Sequence, residues 1–304
     1  MTTPLEKLKD IIRANRPNLS KNSVVTYASL LKSVYLVNNR EMDAGMNLEW
    51  FSNPENIIAA VEKKPTNTRK SAISAVTVLL GPANMDARVT KMMMDDSEKV
   101  QKQYDSQKMT PKQQENWIEF PEVERIEREL FDSVKSWFGK ITPLTSDQIR
   151  MLSDWLIVAL SSGIYFPPRR SEWNMIKLKD VNPETDNYID LKRGMFVLNQ
   201  YKTAKLYGRE EIPFGKPFGL LLAKYLKLIS GQTYLFENKG TQYTTSYITF
   251  KLNRIFGKNV STSMLRHIWT AAKYPDMDNL GEMKENARAM GHSLETHMAY
   301  AVRC

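Results

Sequence analysis

Four short stretches of the 304-residue chain set charged and polar residues against apolar runs, and their residue types suit chemistry on phosphate esters. The first is Tyr165-Phe166-Pro167-Pro168-Arg169-Arg170-Ser171-Glu172, and the second is Tyr201-Lys202-Thr203-Ala204-Lys205. The third is Ser261-Thr262-Ser263-Met264-Leu265-Arg266-His267, and the fourth runs from Met290 through Gly291 and His292 to His297 and Tyr300. A guanidinium stays charged and pairs bidentately with phosphate oxygens. A tyrosine hydroxyl can attack phosphorus and hold the product as a covalent ester. Charge building on the non-bridging oxygens calls for cations already in place. The leaving oxygen needs a proton donor, which a lysine can provide. No GxxxxGK[ST] loop is present for a nucleotide.

Each of these residues also has a plain structural reading. Arg169 and Arg170 can be a solvated pair or a pair bound to a nucleic-acid backbone. Arg266 lies in the apolar run SMLRHIWTAA, where an unpaired charge is costly, so it is either paired or functional. His267 reads as a packing or helix-bonding histidine and His297 as a helix-surface residue. His292, after Gly291, can be merely exposed at a turn between helices. Tyr300 can be a core tyrosine on an amphipathic turn, and Lys202 and Lys205 can be ordinary solvated hairpin lysines.

Helices and one hairpin must position these groups. Helical spacing and stop signals predict helices over 1–14, 20–35, 54–63 and 67–80, with Ser20 as an N-cap and Gly81-Pro82 as a stop. Residues 86–118 are polar and weakly periodic, and read as a solvated helix followed by a linker. A helix follows from Phe120, and Thr145 with Gln148 forms a capping box with Leu144 and Ile149 as its staple. The helix opened there is apolar nearly all round, so it should be central and end at Gly163. NYIDLK, MFVLNQYKT and REEIPF are β-prone, the last two joined by a loop containing Gly208. Helices return over 217–230, 243–256, 261–273, about 276–290, and in a short last segment ending near Tyr300. The fold class is therefore mainly α with a small antiparallel β-sheet (α+β). Its domains are a helical unit over 1–104, a linker over 105–120 and a second unit over 121–304.

Composition narrows the function class. Lys and Arg number 43 against 34 Asp and Glu, for a net charge of +9. Residues 1–112 carry 17 basic and 12 acidic side chains; the excess extends over both parts, which suits a polyanion touching both. The 42% hydrophobic content excludes a disordered chain. A single cysteine, Cys304, excludes a disulfide framework and a thiolate zinc site, and three histidines leave little for a His-rich metal centre. No apolar run spans a bilayer, and the N-terminal MTTPLEKLKDIIRANRP lacks a signal-peptide core. A reducing, intracellular setting is expected.

The order of the four stretches resembles the tyrosine recombinases of the phage-integrase type. In that family an Arg-x-x-Glu opens a helix, a Lys lies in a β-hairpin, and His-x-x-Arg-His, Gly-His and a nucleophilic Tyr follow. Here the matching residues are Arg169-Arg170-Ser171-Glu172, Lys202, Arg266-His267, Gly291-His292 and Tyr300. The first unit, with TYASLLKSVY and NTRKSAISAV, resembles the family's SAM-like core-binding domain. The resemblance implies a two-domain DNA clamp that cleaves and rejoins DNA through a 3′-phosphotyrosine, with no metal, ATP or other cofactor. Its catalytic set would be Arg169, Lys202 (with Lys205 as the alternative), Arg266, His292 and the nucleophile Tyr300, with Glu172 structural. Arg170, Lys205, Arg69 and Lys70 would contact DNA. The implied partners are double-stranded DNA and three further copies of the chain on paired sites, with no membrane. The setting would be wherever the target DNA lies, in a host nucleus or cytoplasm or a viral particle. The overall look is that of integrases of viruses and mobile elements.

Two departures stand out. The position three residues before Arg266, normally His, is Ser263, whose hydroxyl can bond a phosphate oxygen but cannot titrate near neutral pH. Only four residues follow Tyr300, where many relatives carry a further helix for a neighbouring protomer. Two other functions share these residues: DNA relaxation of the type IB topoisomerase kind, and DNA binding with lost or weakened catalysis.

Overall fold

The computed structural model describes residues 3–38, 47–140, 143–169, 171–275 and 280–301. Arg170 and Cys304 lie outside the described residues. The chain divides into two compact units, Met1–Ser106 and Gln107–Cys304. It is mainly helical with small antiparallel sheets, as the hydrophobic periodicity predicts.

The first unit holds α1 (Pro4–Asn15), α2 (Lys21–Tyr35), α3 (Pro54–Val61), α4 (Thr66–Leu80) and α5 (Ala87–Asp105). Ser20 caps α2 by accepting from the Ser23 amide at 3.1 Å, which satisfies one of the orphan donors of the first turn. The apolar faces meet in a core that includes Leu8, Ile12, Val24, Leu31, Val61, Ile73 and Val76. The polar helix α5 buries little besides Val89 and Asp96. Asp96 accepts from Arg69 Nε and Nη2 at 2.6 and 2.5 Å, a forked pair tying α5 to α4.

The stretch expected as a linker is folded for much of its length. It carries α6 (Pro111–Asn116), opened by a capping box of Thr110 and Gln113. Met109, Asn116 and Ile118 are buried. Asn116 accepts from the Asn259 amide at 2.8 Å, so this segment belongs to the second unit. Weak periodicity in a six-residue helix is no sign of a linker, because so short an element has too few turns to show a face.

The second unit continues with α7 (Phe120–Val134) and α8 (Ser146–Ser161). Both halves of the Thr145–Gln148 capping box form, at 2.9 and 3.2 Å. Helix α8 is buried without a break from Leu152 to Ser161, as its all-round apolar pattern predicts. Strands β1 (Tyr188–Asp190), β2 (Met195–Leu198) and β3 (Glu210–Pro213) form an antiparallel sheet in that order, with Tyr188 opposite Val197 and Leu198 opposite Glu210. The β2–β3 connection carries a one-turn helix, α9 (Ala204–Tyr207). Then come α10 (Lys216–Leu228), a two-stranded ribbon of β4 (Glu237–Asn238) and β5 (Thr241–Gln242), α11 (Thr245–Phe256), α12 (Thr262–Lys273), α13 (Leu280–Ala289) and α14 (Leu294–Tyr300). Among the described residues no helix is long and apolar enough to cross a membrane.

One buried ion pair joins α8 to α11. Asp154 accepts from Lys251 Nζ at 2.5 Å, and both residues are buried. The rings of Tyr243 and Tyr247 lie 5.5 and 5.6 Å from the ammonium. Burial pushes the Lys251 amine down from its usual range, against the opposing pull of Asp154. Removing one partner strands the other charge, so Asp154→Ala is expected to cost about 3–5 kcal/mol. The double change Asp154→Leu with Lys251→Met should cost far less, and urea unfolding midpoints of the three proteins check this.

Candidate active site

The site is assembled around the C-terminal end of α13. The last carbonyls of a helix have no intrahelical partner, and that end carries the negative pole of the helix. Two arginines from distant parts of the chain supply the missing donors. Arg169 Nη1 donates to the Ala289 carbonyl at 2.5 Å, and Arg266 Nη2 donates to the Met290 carbonyl. Both side chains are buried, at 1% and 2% exposed.

The Gly291-His292 pair follows from the way α13 stops. The Gly291 amide donates to the Arg288 carbonyl at 2.9 Å and the His292 amide to the Ala287 carbonyl at 3.1 Å. This is the Schellman pattern, which sets its C′ residue in the left-handed region, and Gly291 has φ +72°. A second constraint acts at the same position: a Cβ on Gly291 would lie 2.9 Å from Arg169 Nη2. Glycine thus lets the backbone turn and lets the guanidinium lie against it. Ser293 then caps α14, accepting from the Thr296 amide at 3.3 Å. His297 and Tyr300, three residues apart, share the buried face of that helix.

Arg169 reaches the cluster from the segment after α8. Gly163, at φ +92°, lets the chain leave that helix. Arg169 lies over the Tyr201 ring at 5.2 Å. Its Nη2 is 2.9 Å from Glu210 Oε2, close enough to pair electrostatically but not aligned for a hydrogen bond. Its Nε and Nη2 have no hydrogen-bond partner among the described residues. Glu172 lies in the 3-10 turn Ser171–Met175, and its Oε2 is likewise buried without a partner there.

Arg266 does more than bind a carbonyl. Its Nη1 donates to the Tyr300 hydroxyl at 3.2 Å, and its Nη2 donates to His292 Nδ1 at 2.6 Å. The guanidinium carbon lies 5.0 Å from the Tyr300 ring centroid. His267 packs its ring 4.5 Å from that of Tyr300 and donates from Nδ1 to the Tyr300 carbonyl at 3.1 Å. Burial first, and Arg266 second, push His267 down to about 4, against the pull of that carbonyl. It is therefore neutral near pH 7 and binds the end of α14, consistent with a helix-bonding histidine.

The β2–β3 loop is anchored beside this cluster without adding a charge to it. Tyr201 lies under Arg169, and Thr203 Oγ1 donates to the Gly291 carbonyl at 3.1 Å. Lys202, between them, is exposed, as is Lys205 in α9. Neither has a hydrogen bond or ion pair among the described residues. Ser263 is half-buried near the start of α12.

Arg169, Arg266, His292 and Tyr300 thus come together, with Lys202 on an adjoining loop. Arg69 and Lys70 lie in the first unit, where Arg69 is committed to Asp96 and to the Glu62 carbonyl at 3.0 Å. Its fork is occupied by the Asp96 carboxylate, which gives that side chain a structural role. Lys70 is half-buried on α4. His297, expected on a helix surface, is fully buried at 0%. Its distance of three residues from Tyr300 is the signal that marks it, because residues so spaced share a helix face.

No family profile and no curated protein matches the chain. Among solved structures, one described as the crystal structure of XerA recombinase is similar to it at 17% sequence identity and a TM-score of 0.43, covering 99% of this chain and 93% of that one.

Proposed function

We propose that this chain is a DNA strand transferase of the tyrosine recombinase kind, with Tyr300 as its nucleophile. The observation that carries this is the meeting of two buried guanidiniums, His292 and the Tyr300 hydroxyl at one helix end, with Arg266 Nη1 donating to that hydroxyl at 3.2 Å. The buried Arg169 guanidinium faces the Glu210 carboxylate at 2.9 Å but commits neither Nε nor Nη2 to a hydrogen bond among the described residues, so it keeps donors for a phosphodiester oxygen.

In the reaction the phenolic oxygen of Tyr300 attacks phosphorus. The O–P bond forms, the P–O5′ bond breaks, and the phenolic proton passes to solvent. Arg169 and Arg266 pair with the non-bridging oxygens, where charge accumulates. The Tyr300 hydroxyl gives up its bond to Arg266 as the phosphate takes that donor. Lys202, exposed on the β2–β3 loop, protonates the leaving 5′ oxygen. A 5′ hydroxyl from a second strand then reverses the step, and four copies on two sites complete an exchange. Ser263 adds a hydrogen bond but no titrating group, so protonation of the leaving oxygen falls on Lys202.

The test is incubation with nicked duplexes drawn from a randomised-sequence library, followed by denaturing electrophoresis. A covalent protein–DNA adduct is expected, and Tyr300→Phe should abolish it while leaving duplex binding within about twofold. Intact binding with no adduct from the wild-type protein would sink the proposal in favour of a DNA-binding protein without catalysis, the outcome Ser263 would foreshadow. Relaxation of a supercoiled plasmid carrying no selected site would instead assign the same chemistry to a topoisomerase.

A further inference from the structure

The bonds around Arg266 continue one residue deeper than the reaction above requires. Arg266 Nη2 is 2.6 Å from His292 Nδ1, and His292 Nε2 is 3.2 Å from His297 Nδ1. A guanidinium has donors and no acceptor. His292 Nδ1 must therefore accept, which puts the proton of the neutral ring on Nε2. That N–H in turn points to His297 Nδ1, which must accept, and the His297 proton then lies on Nε2. One direction of donation runs through all three side chains, from Arg266 to His292 to His297.

The surroundings of His297 keep it in this state. It is fully buried, and its Nε2 has no hydrogen-bond partner among the described residues. Tyr274 and Trp269 stand edge-on to its ring, at 5.4 and 6.5 Å between centroids, and the His292 ring meets it edge to edge, 5.4 Å between centroids and tilted by 29°. The charged group near it is Arg266. Burial first and that guanidinium second push His297 down to about 4, so it stays neutral and keeps Nδ1 as an acceptor near pH 7. A buried donor left unpaired costs about 1–3 kcal/mol. Packing alone would be better served by leucine, so the histidine at this place calls for another reason.

Given the strand-transfer function proposed above, we infer that His297 is a positioning residue: by accepting from His292 Nε2 it holds the ring with Nδ1 turned to Arg266, keeps the Nε2–H form that Arg266 requires, and thereby fixes the fork of Arg266 for the phosphate. It touches neither the phosphate nor Tyr300's hydroxyl; it acts through His292. Ligand-orienting partners of this kind decide which ring nitrogen carries the proton.

The experiment compares His297→Gln, whose carbonyl can still accept, with His297→Leu, which cannot. In nitrogen-15 NMR of the full chain without DNA, His292 should show the Nε2–H pattern in the wild type and in His297→Gln. In His297→Leu, where the ring can turn away from Arg266, it should show mixed tautomers. Adduct formation should fall about ten- to a hundredfold in His297→Leu, the cost of misplacing a reacting group, and recover in His297→Gln. A His292 spectrum unchanged in His297→Leu overturns the inference, as does one equally altered in both variants. Should His297→Leu not fold, His297→Gln alone decides, because loss of the Nε2–H pattern there overturns the inference. The NMR arm needs no DNA, so a failure of the strand-transfer proposal would appear separately, as a wild-type protein that forms no adduct.

Discussion

Arg266→Ala should slow formation of the Tyr300 adduct about a thousandfold, the upper range for removing a preorganised donor from developing negative charge. Arg266→Lys should restore little of it. The side chain is 2% exposed and serves three acceptors at once: the Tyr300 hydroxyl, the Met290 carbonyl and His292 Nδ1. A planar fork can hold such a set because its donors diverge at fixed angles. An ammonium on a flexible stem carries the charge but cannot fix three directions. Stability should fall as well, because each buried acceptor left unpaired costs about 1–3 kcal/mol. Rates should therefore be read by single-turnover cleavage of a nicked duplex well below each variant's unfolding midpoint, with binding measured at the same salt. An Arg266→Lys rate within tenfold of wild type would mean that charge alone suffices at this position.

What the sequence discloses about this site depends on whether a residue's role is local or tertiary. The turn at Gly291-His292 is local: a helix that ends in a left-handed residue asks for glycine there, and the structure shows why. The capping box at Thr145 is legible for the same reason, since both partners lie within one turn. Arg266 is legible by contrast, a charge in an apolar run that must find partners. For His297 the spacing from Tyr300 shows only that the two share a face; that this face of a seven-residue helix is buried depends on what it docks against. Nor does anything near Arg69 announce Asp96, which lies on the next helix of the first unit. In the β2–β3 connection, the continuous apolar run of the strand stops at Leu198, and the one-turn helix of α9 is too short to show a period of its own. The exposed state of Lys202 therefore could not be read from its spacing in the hairpin.

Gly163→Ala should be the most destabilising single-methyl change in the second unit. The residue sits at φ +92°, where a side chain costs about 1–2 kcal/mol. Its new Cβ would fall 2.1 Å from Trp269 Cδ1 and 2.6 Å from Cγ. That is well inside contact distance, against an indole that is itself buried, and overpacking of this sort adds about 1–3 kcal/mol. A total near 3 kcal/mol or more is expected from urea unfolding. The effect should also reach the chemistry. Trp269 lies one helical turn beyond Arg266 on α12, so a shift of the indole moves the helix that carries the guanidinium, while Gly163 itself leads into the segment that carries Arg169. A double-mutant cycle isolates the clash: in a Trp269→Ala background, Gly163→Ala should cost only the backbone part, giving a coupling of about 1–3 kcal/mol. Strict additivity would show that the indole yields freely, and the glycine would then be required by the backbone turn alone. Retained adduct formation in a folded Gly163→Ala protein would separate the two consequences, leaving the packing of α12 on this turn as a matter of stability and not of the position of Arg266.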